Sequence, residues 1–366
     1  MDAIGWRAAM TQALYGADGF FVAGGAGPAG HFRTSAVASP LFAGALLQLI
    51  AQVDDALGHP DPFDVVDVGA GRGELLAALR ALVAAPSARG PSLPVRGPSL
   101  PARGPIPPVP GPIPPVPGRS LRERVRWVAV EVAPRPDGLP ADIAWRQNLP
   151  DGIVGLLLAT EWLDNVPLDL AEVDDAGRVR RVLVDPKSGE ESLGGTVDAA
   201  DTWWLARWWP PLREPGDRAE LGWSRDGAWA DAVASVRRGC ALAVDYGHLR
   251  TARPVYGTLT GFRGGRQVTP VPDGSCDVTA HVAIDSVAAA AGSPYEIISQ
   301  RVALRALGVD GGRPPLELAS TDPAGYLRAL SAAGAAAELT DPAGLGDHWW
   351  LLHGIGIDPP LRSRVG

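Results

Sequence analysis

The chain has 366 residues, 46% of them hydrophobic and 20% charged, with a formal net charge of -8. That is ample for a buried core, and no basic stripe or Lys/Arg run offers a nucleic-acid surface. Two cysteines, no metal-ligand spacing, no secretory signal in MDAIGWRAAMTQAL and no apolar run near the ~20 residues that span a bilayer predict a cytoplasmic protein without disulfides, structural metal or membrane partner.

FDVVDV (63–68) is a short apolar run ending in a glycine loop, and ELLAALRALVAA follows with Leu75, Leu79 and Leu82 at helical spacing. Strand, Gly-rich turn and helix are the opening of a nucleotide-binding α/β unit. Residues 86–118 then repeat RGPSLP and GPIPPVP twice each, at a proline density that forbids helix and central strand. This segment reads as a polyproline-like insertion, either a tolerated loop expansion or a docking site for a Pro-binding partner.

The α/β pattern resumes with strands at 125–132, 142–146 and 153–160. Residues 168–185 alternate around an Asp-Asp-Ala-Gly turn and predict a hairpin. Trp203, Trp204, Trp208 and Trp209 share a short helical stretch, read as core packing or as a hydrophobic lid. A helix around 228–237, a strand at 240–247, a helix at 278–292 and strands at 295–299 and 348–355 complete the chain. Strands alternating with helices predict an α/β fold with a mostly parallel, doubly wound sheet.

The loop reads Asp67-x-Gly69-x-Gly71-x-Gly73, where glycines let the backbone turn and approach a ligand. A dinucleotide fingerprint would place Gly or Ala where Glu74 stands, and Glu74 would repel a pyrophosphate. S-adenosylmethionine has no phosphate and is cationic, so Asp67 and Glu74 suit it. Glu131, ending the second strand, fits the ribose hydroxyls. It lies 58 residues beyond Gly73, and removing the 33 residues of 86–118 leaves 25, near the roughly 20 expected of such an acidic residue. Asn148 fits either an adenine edge or a turn before Leu149-Pro150.

Further motifs point to one family. ALYGADGFFV, GHFRTSAVASPLFAG, VVDVGAGRGELL, ATEWLDNVPLDL, ALAVDYGH, GTLTGFRGGRQVTPVPDGSCDVTAHVAIDSVA, RVALRALGV and HWWLLHGI occur in an order that resembles the MidA-type methyltransferases. These include the mitochondrial complex I assembly factor with protein arginine methyltransferase activity. The resemblance spans nearly the whole chain outside 86–118. It implies a seven-stranded class I methyltransferase (Rossmann-like) sheet over 59–366, with substrate-side additions around 168–235. Residues 1–58 become an N-terminal cap, with His31, Thr34 and Ser35 over the cofactor. S-adenosylmethionine is the implied cofactor, held at Gly69, Gly71, Gly73 and Glu131. TEWLDNVP (160–167) aligns with the family's Asn-Glu-Phe-Phe-Asp-Ala-Leu-Pro, so Glu161, Asp164 and Pro167 fall on matching positions. The chain departs from the family at His31, Ala36 and Val37, where Asp and Pro-Glu are usual, and at Thr160 and Trp162.

Methyl transfer is an in-line displacement that needs alignment and exclusion of water more than a strong base. Glu161 and Asp164 are the candidate catalytic carboxylates, orienting a cationic acceptor by bidentate hydrogen bonds. Asp164-Asn165 before Val166-Pro167 is equally good turn chemistry. His248 is either a base or a solvated loop residue, and Asp277 and Thr279 read as caps of the following helix. His281 reads as core or surface, and Glu220 aligns loosely with a family acidic position. The expected function is methyl transfer to a protein, with arginine favoured. A non-catalytic S-adenosylmethionine-binding scaffold and an NAD-dependent oxidoreductase are the alternatives.

Overall fold

The computed structural model describes residues 3–22, 40–85, 119–309 and 311–361. The glycine-loop strand β1 (Phe63–Val68) is buried along its whole length, Asp64 and Asp67 included. It lies inside a seven-stranded sheet with β2 (Val125–Val130), β3 (Ile143–Arg146), β4 (Ile153–Thr160), β9 (Val236–Asp245), β10 (Tyr295–Ser299) and β11 (Trp349–Ile355). Their spatial order is β10-β11-β9-β4-β1-β2-β3. In the register, Val65 sits between Trp127 and Leu156, and all pairs from β9 to β3 are parallel. β11 runs antiparallel to both of its neighbours, so the sheet is mixed at one end.

Each face of this sheet has its own core. On one, α2 (Pro40–Leu57) and α3 (Glu74–Ala84) pack Phe42, Leu46, Leu49, Leu76 and Leu79 against Val65, Trp127 and Leu156. On the other, α5 (Trp223–Ala234) and α6 (Ile284–Ala290) bring Trp229, Val233, Ile284 and Val287 onto Val66, Leu157 and Ala241. By length and composition α2 is apolar enough to cross a bilayer, which the sequence pattern did not suggest, but it serves here as a core helix. Among the described residues of 1–58, it is Tyr15, Phe21 and Val22, before this helix, that line the site described below.

Residues 168–235 add a second layer. The predicted hairpin forms β5 (Asp169–Val173) and β6 (Val179–Val184), with Ala171 opposite Arg181. β7 (Glu191–Thr196), β8 (Arg218–Leu221) and the short strand Ile4–Gly5 complete a five-stranded sheet. Leu168, Leu170, Val182 and Val184 alternate onto Trp6, Met10 and Leu14 of α1 (Trp6–Tyr15), which fixes the N-terminal helix to this layer. Of the clustered tryptophans, Trp204 on α4 (Ala199–Trp208) and Trp209 just past its end are core, while Trp203 is exposed and stacks on Trp223 at 6.0 Å.

Two predicted helices are corrected. The one expected at 228–237 is α5, ending at Ala234 because Val236 already pairs with Ile153 in the sheet. The one expected at 278–292 begins only at Ile284. Asp277–Thr279 is instead a strand paired with Thr260–Phe262, and Val282–Ala283 pairs with Gly247–His248. Strand pairing of β-branched Val278, Thr279 and Val282 overrides the helical spacing, so Asp277 and Thr279 are not caps.

Where α2 meets the chain entering β2, Arg124 donates to both carboxylate oxygens of Asp54 at 2.8 and 2.7 Å, in a buried pair. Asp54→Ala leaves that guanidinium buried and unpaired, and should cost about 3–5 kcal/mol in a denaturant melt.

Candidate active site

The carboxyl ends of β1 to β4 line one edge of the sheet, and a cavity of about 720 Å³ opens there. Its floor is the glycine loop. Gly69 has φ +69°, and a Cβ there would stand 2.7 Å from the Trp162 ring, so only glycine admits Trp162 as the adjoining wall. Gly71 also has positive φ and lines the cavity, with Glu74 Oε2 3.9 Å from where a Cβ would stand.

Glu131 ties the loop to β2. One carboxylate oxygen accepts from Gly71 N (2.9 Å) and the other from Val132 N (2.7 Å) and Ala133 N (3.1 Å). Burial raises its pKa against the pull of those three donors. Arg72 N donates to Glu74 Oε2 (3.1 Å), Gly73 N to Ala70 O (2.8 Å), and Gly69 N and Ala70 N to Val130 O (3.0 and 3.3 Å). Every N–H from Gly69 to Gly73 is thus donated, two of them to carboxylates. No nest of donors is left for a phosphate.

Asn148 lines the cavity beside Gln147 and Leu149 and is exposed. Asp67 and Gly73, assigned to the ligand from sequence, stand behind the wall and are not among the lining residues. Gly73 packs toward Leu139 and Trp145 as the N-cap of α3. Asp67 is sealed at 2% exposure with Oδ1 unpartnered among the described residues, and burial, then Glu131 and Glu74, push its pKa up to about 8. Folded Asp67 therefore holds a proton that the unfolded chain releases above about pH 4, and stability drains as pH rises from there to about 8. Asp67→Asn should remove that slope, gaining on the wild type in denaturant midpoints between about pH 5 and about pH 8.

Past β4 the chain brings Glu161, Trp162, Asn165, Val166 and Pro167 to the cavity. Glu161 has φ +51°, a left-handed conformation uncommon outside glycine, held by its N–H on Val244 O at 2.8 Å. Its Oε1 is 4.0 Å from His348 Nε2, and burial lowers the His348 pKa to about 4, leaving that imidazole neutral near pH 7. Asp164 sits one layer deeper, outside the lining. Its Oδ2 accepts from Tyr246 and from Thr279 Oγ1 (2.7 Å), and burial raises its pKa. Asp245 accepts Leu163 N and Asp164 N at 3.0 and 3.3 Å, and burial and its acidic neighbours hold its pKa well above the carboxylate range. Asp277 accepts Asn165 Nδ2 at 2.7 Å and is pushed up to about 8 by burial and Asp164. The fully buried Arg225 directs its guanidinium to the carbonyls of Asp164, Val166, Ala280 and His281.

Tyr15, Phe21 and Val22 close the far wall, with Tyr15 Oη donating to Asn165 O at 3.1 Å. His31, Thr34, Ser35, Ala36, Val37 and the segment 86–118 lie outside the described residues. His248 is neither cavity base nor solvated loop residue. It is buried against Arg253 (2.8 Å from Nδ1), Glu220 and Trp209. Glu220 is buried and bonds Thr258, and His281 is exposed beside Tyr246. Sequence reasoning missed Tyr15, Trp162, Arg225 and His348. A lone residue in a helix, turn or strand start gives no local signal of a long-range contact. Among the described residues no group of three or more His, Cys, Asp or Glu is placed to hold a metal.

A family model described as "Putative S-adenosyl-L-methionine-dependent methyltransferase" matches residues 120–299. The match spans 180 residues, just under half of the chain, and makes it similar to this methyltransferase family. The resemblance to MidA-type enzymes holds, and so does S-adenosylmethionine as cofactor. Two solved structures from Burkholderia thailandensis share the methyltransferase's fold. One, a COG1565 superfamily member bound to S-adenosyl-homocysteine, is 23% identical, with 97% of this chain and 89% of that one covered and a TM-score of 0.72. The other, an uncharacterized COG1565 superfamily protein, is 22% identical, with 99% and 90% covered and a TM-score of 0.70. No curated relative matches. The cavity suits the cofactor chemically: its loop donors are already satisfied, and Glu131 presents carboxylate oxygens beside the glycine floor.

Proposed function

We propose that this methyltransferase acts in the cytoplasm on a nitrogen of a protein side chain, with arginine as the acceptor. The observation behind this is the acidity of the acceptor end. Glu161, Asp164, Asp245 and Asp277 gather there with one buried cation, Arg225, whose N–H groups go to carbonyls. Asp164 Oδ1, Asp245 Oδ1 and Asp277 Oδ2 have no partner among the described residues. A guanidinium arriving in the cavity can pair in a planar, bidentate way with Glu161, the one of the four that lines it, and its charge offsets the sealed carboxyls behind. The strand order, with β11 reversed, supports the doubly wound class I arrangement as the frame.

In this reading Glu131 takes the ribose hydroxyls, Gly69 and Gly71 let the cofactor lie against the loop, and Asn148 meets the adenine edge. Asp67 and Gly73 shape the loop from behind. When bound, S-adenosylmethionine supplies an electrophilic methyl on a cationic sulfur. Glu161 orients the acceptor nitrogen toward that methyl and takes the proton the nitrogen sheds as the N–C bond forms and the C–S pair returns to sulfur. Asp164, through Tyr246 and Thr279, positions the segment that holds Glu161. Trp162, Tyr15 and Phe21 exclude water.

Transfer of labelled methyl from S-adenosylmethionine into lysate proteins, followed by acid hydrolysis, should give methylarginine. Label in another amino acid would overturn the arginine assignment. Intact cofactor binding with no transfer would leave the scaffold reading in its place.

A further inference from the structure

Asn165 is buried at 7% exposure, yet it lines the cavity where the acceptor must enter. Its backbone is pinned from the far wall, since its carbonyl accepts Tyr15 Oη. Its side chain is pinned from behind. Nδ2 donates to Asp277 Oδ1 at 2.7 Å and reaches the Val278 carbonyl at 3.4 Å. The Val278 carbonyl can only accept, so rotating the amide by half a turn would set Oδ1 against it and give up the donation to Asp277 Oδ1. The amide is therefore locked with its nitrogen inward. Its Oδ1 has no hydrogen bond among the described residues, and it is not among the atoms sealed from solvent, as Asp164 Oδ1 and Asp277 Oδ2 are.

The geometry points to Asn165 Oδ1 as a specificity-determining acceptor that binds an N–H of the nitrogen being methylated, with Asp277 as the positioning residue that fixes its orientation. The assignment rests on the nitrogen-acceptor reading above and narrows it. An oxygen lone pair aimed into the cavity favours a donor-bearing amine or guanidinium and repels a carboxylate. Holding one N–H also sets the direction of the nitrogen lone pair, which must point along the line of displacement.

Exchanging the two partners tests the lock. In Asp277→Asn the new amide has a donor of its own and lets Asn165 turn its nitrogen to the cavity. In Asn165→Asp two carboxylates face each other. In the double variant the amide introduced at position 277 donates to the carboxylate introduced at position 165, and an oxygen again faces the cavity. Calorimetry on S-adenosyl-homocysteine-loaded protein, with arginine amide and n-propylamine as probes, should show roughly tenfold weaker binding for Asn165→Leu and both single exchanges, about one hydrogen bond. The double variant should return to within about threefold of wild type. S-adenosyl-homocysteine affinity should stay level in every folded variant, Asn165→Asp alone should melt lower because two buried acids then meet, and where Asn165→Leu fails to fold, the exchange series decides. Wild-type affinity in Asn165→Leu, no restoration in the double variant, or no binding of either probe to the wild type would overturn the assignment. Labelled-methyl products separate this from the arginine reading. Methyllysine would remove arginine and leave Asn165 in its role, whereas label on oxygen or sulfur would remove the Asn165 role.

Discussion

Glu131→Ala should weaken S-adenosylmethionine binding by about 100-fold or more, measured by calorimetry on the folded variant. Two losses combine. Hydrogen bonds to a carboxylate contribute about 1.5–3 kcal/mol each, and the variant offers none to the ribose hydroxyls. It also releases Gly71 N, Val132 N and Ala133 N, all held by this one side chain. The glycine floor then loses its tie to β2, and the cofactor must order it on binding. Glu131→Gln separates the effects. Its amide retains one acceptor oxygen and replaces the other with a donor that conflicts with a backbone N–H, so an intermediate loss is expected. The pH dependence has a definite sign. Burial raises the Glu131 pKa, and the ionised form is the one that accepts from hydroxyls and attracts the cationic sulfur. Affinity should therefore fall with decreasing pH, starting above the ordinary glutamate range, and the alanine variant should not show that fall.

The same residue shows how far the sequence could be read. Strands Phe63–Val68, Ile153–Thr160 and Tyr295–Ser299 lie within one unbroken apolar or β-rich run each, and composition alone located them. Glu131 was legible because the acidic residue ending the second strand keeps its spacing once 86–118 is set aside. Glu74 was legible as an obstacle to phosphate, and its bond to Arg72 N gives the obstacle a physical form. Asp67 illustrates the opposite case. A carboxylate beside a glycine loop looks like a ligand, but period-two alternation gives no sign of whether the strand's last positions face cavity or core. The helix expected at 278–292 failed because Asp277–Thr279 finds a strand partner at Thr260–Phe262, a choice made by tertiary pairing. Tyr15 and His348 reach the site from opposite ends of the chain, and only the folded register brings them to Asn165 and Glu161.

Glu161→Gln should reduce turnover by roughly 10²–10³-fold, the range of a positioned proton acceptor, while leaving S-adenosylmethionine affinity within about twofold. The substitution keeps the shape and the strained turn and removes the charge. Glu161→Gly probes the turn itself, since a left-handed φ of +51° is free for glycine and uncommon for glutamate. That variant should be at least as stable as the wild type in a thermal melt and still lose turnover, because backbone relief does not replace the carboxylate. Labelled-methyl transfer measures turnover in both, and equal rates in either would remove Glu161 from its role. His348 sharpens the reading. With its pKa lowered to about 4 it is neutral at working pH, so it offers Glu161 a dipole and no counter-charge. Close behind stand Asp164 and Asp245, and the guanidinium of Arg225 is spent on carbonyls. Burial keeps these inner carboxyls short of positive charge, and a cationic acceptor brings that charge with it. Acceptor affinity should then rise with pH as Asp277 and its neighbours ionise in response.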